Sequence, residues 1–280
     1  MKNKERLDKL LLELGLVDTR NKAQALIMAG KVRVNSQVIT KSGAMFTHDA
    51  NITLDEVSQW ASRGAKKLLR AFEVFGLDVH GKICADFGAS TGGFTDVLLA
   101  NGAEKVYAID VGYGQLIWRL ANDERVIVKD RTNARYLTRE DFPDEINFAS
   151  CDVSFISLKL ILPVLDEIVH DEAVVLIKPQ FEAGREKISR GIVKDKKIHV
   201  EVLENILQFI REQTKFCVTG LTYSPIKGPE GNIEFLCRIT HNKNYQDYDN
   251  VNRISQTEND YIYDVNDIVN LAHENLDVKI

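Results

Sequence analysis

The sequence predicts a doubly wound α/β sheet preceded by a small α+β unit. Three observations predict it. From about residue 65 to residue 240, strand-like apolar runs alternate with segments of helical period. The first strand-like run, "KICADFG", leads at once into the glycine-rich "GASTGG" and then a helical stretch, the order seen where a ligand meets a sheet edge. Ahead of this, residues 1–41 carry a net charge of +5, against −5 from residue 241 onward. Such asymmetry points to a basic contact surface for a polyanion at the N-terminal end.

The bounds are those of an ordinary globular chain. A length of 280 residues suggests about two domains, and 44% hydrophobic with 28% charged residues allows a sizeable core. Cys84, Cys151, Cys217 and Cys237 are scattered, without CxxC or Cys/His spacing, and read as reduced core thiols with no metal required. "MKNKERLDKLLLELGL" lacks a signal-peptide apolar region, and "LKLILPVLDEIVH" is broken by Pro163, Asp166 and Glu167. The expectation is a cytoplasmic protein without a membrane span.

In chain order, Leu7, Leu10, Leu11 and Leu14 recur at helical spacing and end on Gly15. Thr19 caps a second helix, "RNKAQALIMAG", whose Ala23, Leu26 and Ile27 form its apolar side. "KVRVNSQVIT" then switches to period two, with Val32 and Val34 inward and Lys31 and Arg33 outward. "RLDKLL", "TRNKAQALIMAGKVRVN" and "VIT" resemble, over about residues 4–55, a small RNA-binding domain shared by a small-subunit ribosomal protein and pseudouridine synthases. The resemblance implies that Arg6, Arg20, Lys22, Lys31 and Arg33 meet RNA phosphates. Residues 1–60 are therefore expected to be an RNA-binding domain and linker, and the connector "DEVSQWASRG" leads into the larger unit.

Residues 61–240 are expected to form the sheet domain, with a helix at "AKKLLRAFEVFG" and seven strands from "KICADFG" to "IEFLCRIT". Its glycines are not spaced as G-x-G-x-x-G. Asp86 precedes the loop, Asp110 ends the next strand and Asp130 the third. That constellation reads as an S-adenosylmethionine site, Asp110 accepting ribose hydroxyls and Asp130 meeting the adenine amine. The expected cofactor residues are Asp86, Gly88, Ser90, Thr91, Gly92, Gly93, Phe94, Asp110, Val111 and Asp130. Residues 241–280 read as an acidic, flexible appendage with one amphipathic helix at "YDVNDIVNLAHENL".

The fourth strand end narrows the acceptor. "CDVSFISL" replaces the Asn/Asp-Pro-Pro-aromatic clamp of amine methylation, and Ser150 stands where attack on a pyrimidine carbon needs proline before cysteine. A hydroxyl remains, and a sugar 2′-OH needs a base or a strongly polar site to become nucleophilic. Lys67, Asp152, Lys178 and Glu234 reproduce the Lys-Asp-Lys-Glu set of the FtsJ-like ribose 2′-O-methyltransferases, the spacing selecting Lys67 over Lys66. "SRGAKKLLRAFEVF", "CADFGASTGGFTDVLLANGA", "VYAIDVGYGQLIWRL", "RTNAR", "CDVSFISL", "LIKPQFEAGRE" and "KGPEGNIEFL" resemble the TlyA-type rRNA methyltransferases, also called hemolysins, over residues 4–240. The resemblance implies a Rossmann-like methyltransferase sheet, 2′-O-methylation of cytidine in ribosomal RNA, and ribosomal subunits as the partner. A non-catalytic assembly factor would need a broken loop or a lost tetrad member, and a lytic protein a large apolar face. Neither is visible in the chain.

Overall fold

The computed structural model describes residues 4–54, 59–241 and 264–276. The chain divides into two compact units, residues 1–59 and 60–280.

In the first unit, β1 (Lys4–Arg6), α1 (Leu7–Glu13), α2 (Arg20–Met28), β2 (Val32–Val34), β3 (Gln37–Ile39), β4 (Met45–Thr47) and β5 (Ile52–Leu54) follow in order. β1 pairs with β4, and β2 lies between β3 and β5, all antiparallel. Leu7, Leu11, Ala23, Ile27, Val32 and Val34 close the core. Leu14 does not join them and is 46% exposed, because the helical turn ends at Glu13 and Gly15 reverses the chain at φ 67°. Thr19 accepts the Lys22 N–H and starts α2.

The second unit opens with α3 (Ala65–Phe75), β6 (Ile83–Phe87), α4 (Gly93–Ala100), β7 (Lys105–Ile109), α5 (Trp118–Ala121) and β8 (Val126–Lys129). It continues through β9 (Ile146–Cys151), α6 (Leu162–Ile168), β10 (Val169–Ile177), α7 (Pro179–Glu182), α8 (Lys196–Gln213), β11 (Phe216–Tyr223), β12 (Phe235–His241) and α9 (Val265–Leu276). The sheet order is β11-β12-β10-β9-β6-β7-β8, parallel except for β12, which runs antiparallel to both neighbours. The central strands are nearly continuous apolar runs because helices cover both faces. The chain winds outward from β6 through β7 to β8, then crosses to β9 and β10. This puts the switch point between β6 and β9, where an open α/β sheet leaves a crevice at its carboxyl edge. β12, being reversed, brings its N-terminal end to that same edge.

The helix read in the acidic tail is no appendage. Ile268, Val269 and Ala272 of α9 are buried in the main core, against α8 and β11. Its apolar positions at i, i+1 and i+4 supply a stripe that repays ordering. The rest of that tail lies outside the described residues. Among the described residues, no helix is long and apolar enough to cross a membrane.

Candidate active site

Four charged side chains converge at the carboxyl edge although they lie far apart in sequence. Asp152 follows β9, Lys178 follows β10, Glu234 precedes the reversed β12, and Lys67 sits in the first turn of α3. Lys178 Nζ is 2.6 Å from Asp152 Oδ1, and Lys67 Nζ is 3.2 Å from Asp152 Oδ2 and 2.8 Å from Glu234 Oε2. The result is one chain, Lys178–Asp152–Lys67–Glu234, alternating in sign. Asp152 is the shared member. Side-chain exposures of 7% for Lys178, 8% for Lys67 and 1% for Glu234 leave water little access, so these charges act in a weakly screening medium. Lys66, its neighbour in sequence, is exposed.

The two lysines differ in surroundings. Burial alone would lower the pKa of Lys67, but the carboxylates of Asp152 and Glu234 outweigh it and leave the pKa raised. Lys67 is thus a fixed cation at neutral pH. Among the described residues, Lys178 has one carboxylate beside it, Asp152, and it also donates to Ser154 Oγ at 2.7 Å. Ser154 escaped the sequence reading, as did Gln180, whose amide reaches Glu234 Oε1 at 3.5 Å. Both stand two positions from a tetrad member, in "DVS" and "KPQ", and that proximity was the available signal.

The glycine loop meets this cluster directly. A Cβ on Gly88 would lie 2.7 Å from the Asp152 carbonyl oxygen, so only glycine, at φ 86°, lets the loop after β6 pass the Asp152 turn. Gly92 and Gly93 are bare for a different reason. Side chains there would overlap Leu116 and Leu120, or Ser62 at the entry to α3, so these glycines serve packing within the protein. Ser90 is exposed at φ 49° and Thr91 half-buried.

The strand-end acids then separate into two kinds. Asp86 has no exposed surface and accepts from Thr95 N at 2.8 Å, Thr95 Oγ1 at 2.7 Å and Ser150 Oγ at 3.0 Å. It braces the start of α4 against β9, where no ligand reaches it. Phe94, 4% exposed, belongs to the core beside α3. Asp110 and Asp130 are instead half-buried, on the loops after β7 and β8. Asp110 accepts the Ser90 N–H at 2.8 Å and the Gly112 N–H at 2.7 Å, and Asp130 accepts the Gly114 N–H at 2.8 Å. A carboxylate offers about four lone-pair positions, so each acid keeps acceptors for a ligand bearing hydroxyl or amino donors. Val111 between them is 69% exposed. Gly88, Ser90, Asp110, Val111 and Asp130 therefore fit a polar ligand along the edge, ending beside the tetrad.

Residues 60–240 match the FtsJ-like methyltransferase family. The chain belongs to that family. Residues 5–51 match the S4 domain. YqxC of Bacillus subtilis, provisionally named an rRNA methyltransferase, is 48% identical over 241 residues, 84% of this chain and 85% of that protein. The 16S/23S rRNA (cytidine-2′-O)-methyltransferase TlyA of Mycobacterium tuberculosis is 42% identical, over 84% of this chain and 90% of its own length. A solved structure from Streptococcus thermophilus, provisionally called a hemolysin, superimposes with a TM-score of 0.70 at 41% identity, covering 99% of this chain and 98% of that one. In the FtsJ-like domain the tetrad and the strand-end acids thus occupy a methyltransferase fold.

The S4 unit distributes its basic groups unevenly. Arg6 and Arg20 both donate to Asp8 at 3.0 Å, and Gln24 adds a bond of 2.8 Å. Asp8 is completely buried, and the Arg6 guanidinium foremost holds its carboxyl well below the usual carboxylate range. Arg6 and Arg20 are therefore partly committed to the fold. Lys22 pairs with Asp18 at 3.0 Å on an exposed face, Arg33 reaches Ser36 O, and Lys31 is exposed.

Proposed function

We propose that this chain transfers the methyl group of S-adenosylmethionine to the ribose 2′-oxygen of a cytidine in ribosomal RNA, within ribosomal subunits in the cytoplasm. The observation that carries this reading is the buried Lys178–Asp152–Lys67–Glu234 chain beside the glycine loop. Residues 1–60 would supply RNA affinity, and residues 61–240, with α9 packed into their core, cofactor binding and chemistry.

S-adenosylmethionine, when bound, supplies an electrophilic methyl group. Asp110 and Asp130 would accept its hydroxyl and amino donors with the lone pairs left over from the loop amides. Lys67, held cationic by Asp152 and Glu234, contributes fixed positive charge and fixes Asp152. Asp152 and Ser154 aim Lys178 Nζ. Lys178 is then the group to take the 2′-hydroxyl proton or hold the developing alkoxide, charge stabilisation that acts best where water is excluded. Arg and Lys contacts from the S4 unit to phosphates would position the RNA without reading its bases.

Incubation with methyl-labelled S-adenosylmethionine and purified ribosomal subunits, followed by digestion to nucleosides, tests the whole reading. The expected product is 2′-O-methylcytidine. Label in a base-methylated nucleoside, or none in RNA, would overturn it.

A further inference from the structure

The segment after β9, residues 152–157, brings more to the site than Asp152. Ser154 Oγ accepts from Lys178 Nζ. Phe155 is held at φ 64°, a conformation costly for a bulky residue; it is 88% exposed, and its ring lies 5.2 Å from the ring of Phe181 on α7. Backbone pairing holds only the first residue of this segment: Asp152 N–H donates to Phe87 O at 2.9 Å, and the parallel ladder between β9 and β10 ends at Cys151 and Val175. Something else must register the rest of it, Ser154 included, against Lys178. The last residue of α7, Glu182, accepts the Ser157 hydroxyl at 2.6 Å and the Leu158 N–H at 2.7 Å. α7 itself starts at Pro179, immediately after Lys178. Glu182 thus ties the end of the β9 segment to the helix that carries Lys178 at its cap, and it touches none of the tetrad charges.

We infer that Glu182 is a positioning residue for methyl transfer, fixing Ser154 against Lys178 by holding Ser157 and Leu158. This rests on the 2′-O-methyltransferase reading. Glutamine can replace both ties, its carbonyl accepting the Leu158 N–H and its amide donating to Ser157 Oγ, whereas alanine removes both. Displacement of a reacting group by about 1 Å costs on the order of 10²-fold in rate, so partial loosening is expected to cost about tenfold or more.

The test is single-turnover methylation of ribosomal subunits at saturating concentrations, with S-adenosylmethionine affinity measured by calorimetry. Glu182→Ala should fall about tenfold or more with cofactor affinity within about twofold, and Glu182→Gln should stay within about threefold of wild type. Ser157→Ala should show a smaller loss, since the Leu158 tie remains, and Glu182→Ala/Ser157→Ala less loss than the two single losses combined, because the Ser157–Glu182 bond is missing in both. Glu182→Ala at wild-type rate, or Glu182→Gln as slow as Glu182→Ala, overturns the inference. If Glu182→Ala does not fold, Ser157→Ala decides: a reduced rate at unchanged cofactor affinity supports it, an unchanged rate overturns it. The nucleoside formed by the wild-type protein reports separately on the functional reading, whatever the variants do.

Discussion

Lys178 Nζ stands 2.6 Å from Asp152 Oδ1, while the other oxygen of the same carboxylate faces Lys67 at 3.2 Å. One acid therefore serves two lysines. Lys67 has Glu234 in addition, whereas Lys178 completes its shell with the neutral Ser154. On the proposed reading, this asymmetry makes Lys67 the fixed charge and Lys178 the group nearest the reacting hydroxyl.

The first prediction concerns that assignment. Lys178→Ala should leave S-adenosylmethionine and subunit affinities near wild type but lower single-turnover methylation by on the order of 10²–10⁴. Lys178→Arg should not rescue, since guanidinium stays protonated and its planar fork does not fit a compact ammonium site between Asp152 and Ser154. A rate within a few-fold of wild type for Lys178→Ala would shift the chemistry to another group.

Asp110 has two duties in the structure. Besides any ligand hydroxyls, it accepts the Ser90 and Gly112 N–H groups and so shapes the loop it serves. Asp110→Ala should weaken S-adenosylmethionine binding by roughly 1.5–3 kcal/mol for each charge-assisted hydrogen bond lost, less what water replaces. Calorimetry measures it directly. An unchanged dissociation constant would confine Asp110 to holding the loop.

A third prediction lies in the S4 unit. Asp8 is buried beneath Arg6, Arg20 and Gln24, so Asp8→Ala should destabilise that unit by about 1–3 kcal/mol, discounted for the half-exposed arginines. The sign of the pH effect follows from the depressed carboxyl. Its contribution is present above the ordinary carboxylate pKa and is lost as the pH falls through the folded value. Denaturant unfolding of wild type and Asp8→Ala at neutral and acid pH should therefore converge at low pH. A gap that stays constant would mean that Asp8 acts by packing alone.

Sequence reached much of this architecture because its signals were local. Strand and helix periods, the glycines at turns and the Thr19 cap all act within a few residues. Lys67, Asp152, Lys178 and Glu234 were legible as a set only through resemblance, since their meeting depends on strand order and on the reversal of β12. Asp86 and Asp110 both end strands and look alike in the sequence. Only packing separates a brace sealed by Thr95 and Ser150 from an acid open to a ligand. Gly92 and Gly93 likewise signal close approach without saying whether the neighbour is a ligand or Leu120. Glu182 sat in the quoted "KPQFEAG", yet its partners lie on another strand's loop.

The brace makes the last prediction. Asp86 is fully enclosed, and burial, partly offset by the Thr95 and Ser150 hydrogen bonds, pushes its carboxyl up to about 6. A folded pKa above the unfolded one means that the native state binds the proton more tightly, so this residue's contribution to stability falls as the pH rises between about 4 and 6. Asp86→Asn abolishes that dependence. Its carbonyl can accept from Thr95 and its amide can donate to Ser150 Oγ, keeping the brace without a charge to desolvate. The stability of Asp86→Asn relative to wild type should therefore be greater at pH 7.5 than at pH 4.5, by about 2 kcal/mol at the usual 1.36 kcal/mol per unit. Urea unfolding of both proteins at the two pH values measures it. An equal difference at both would show that Asp86 titrates as an ordinary carboxylate, and that Thr95 and Ser150 fully compensate its burial.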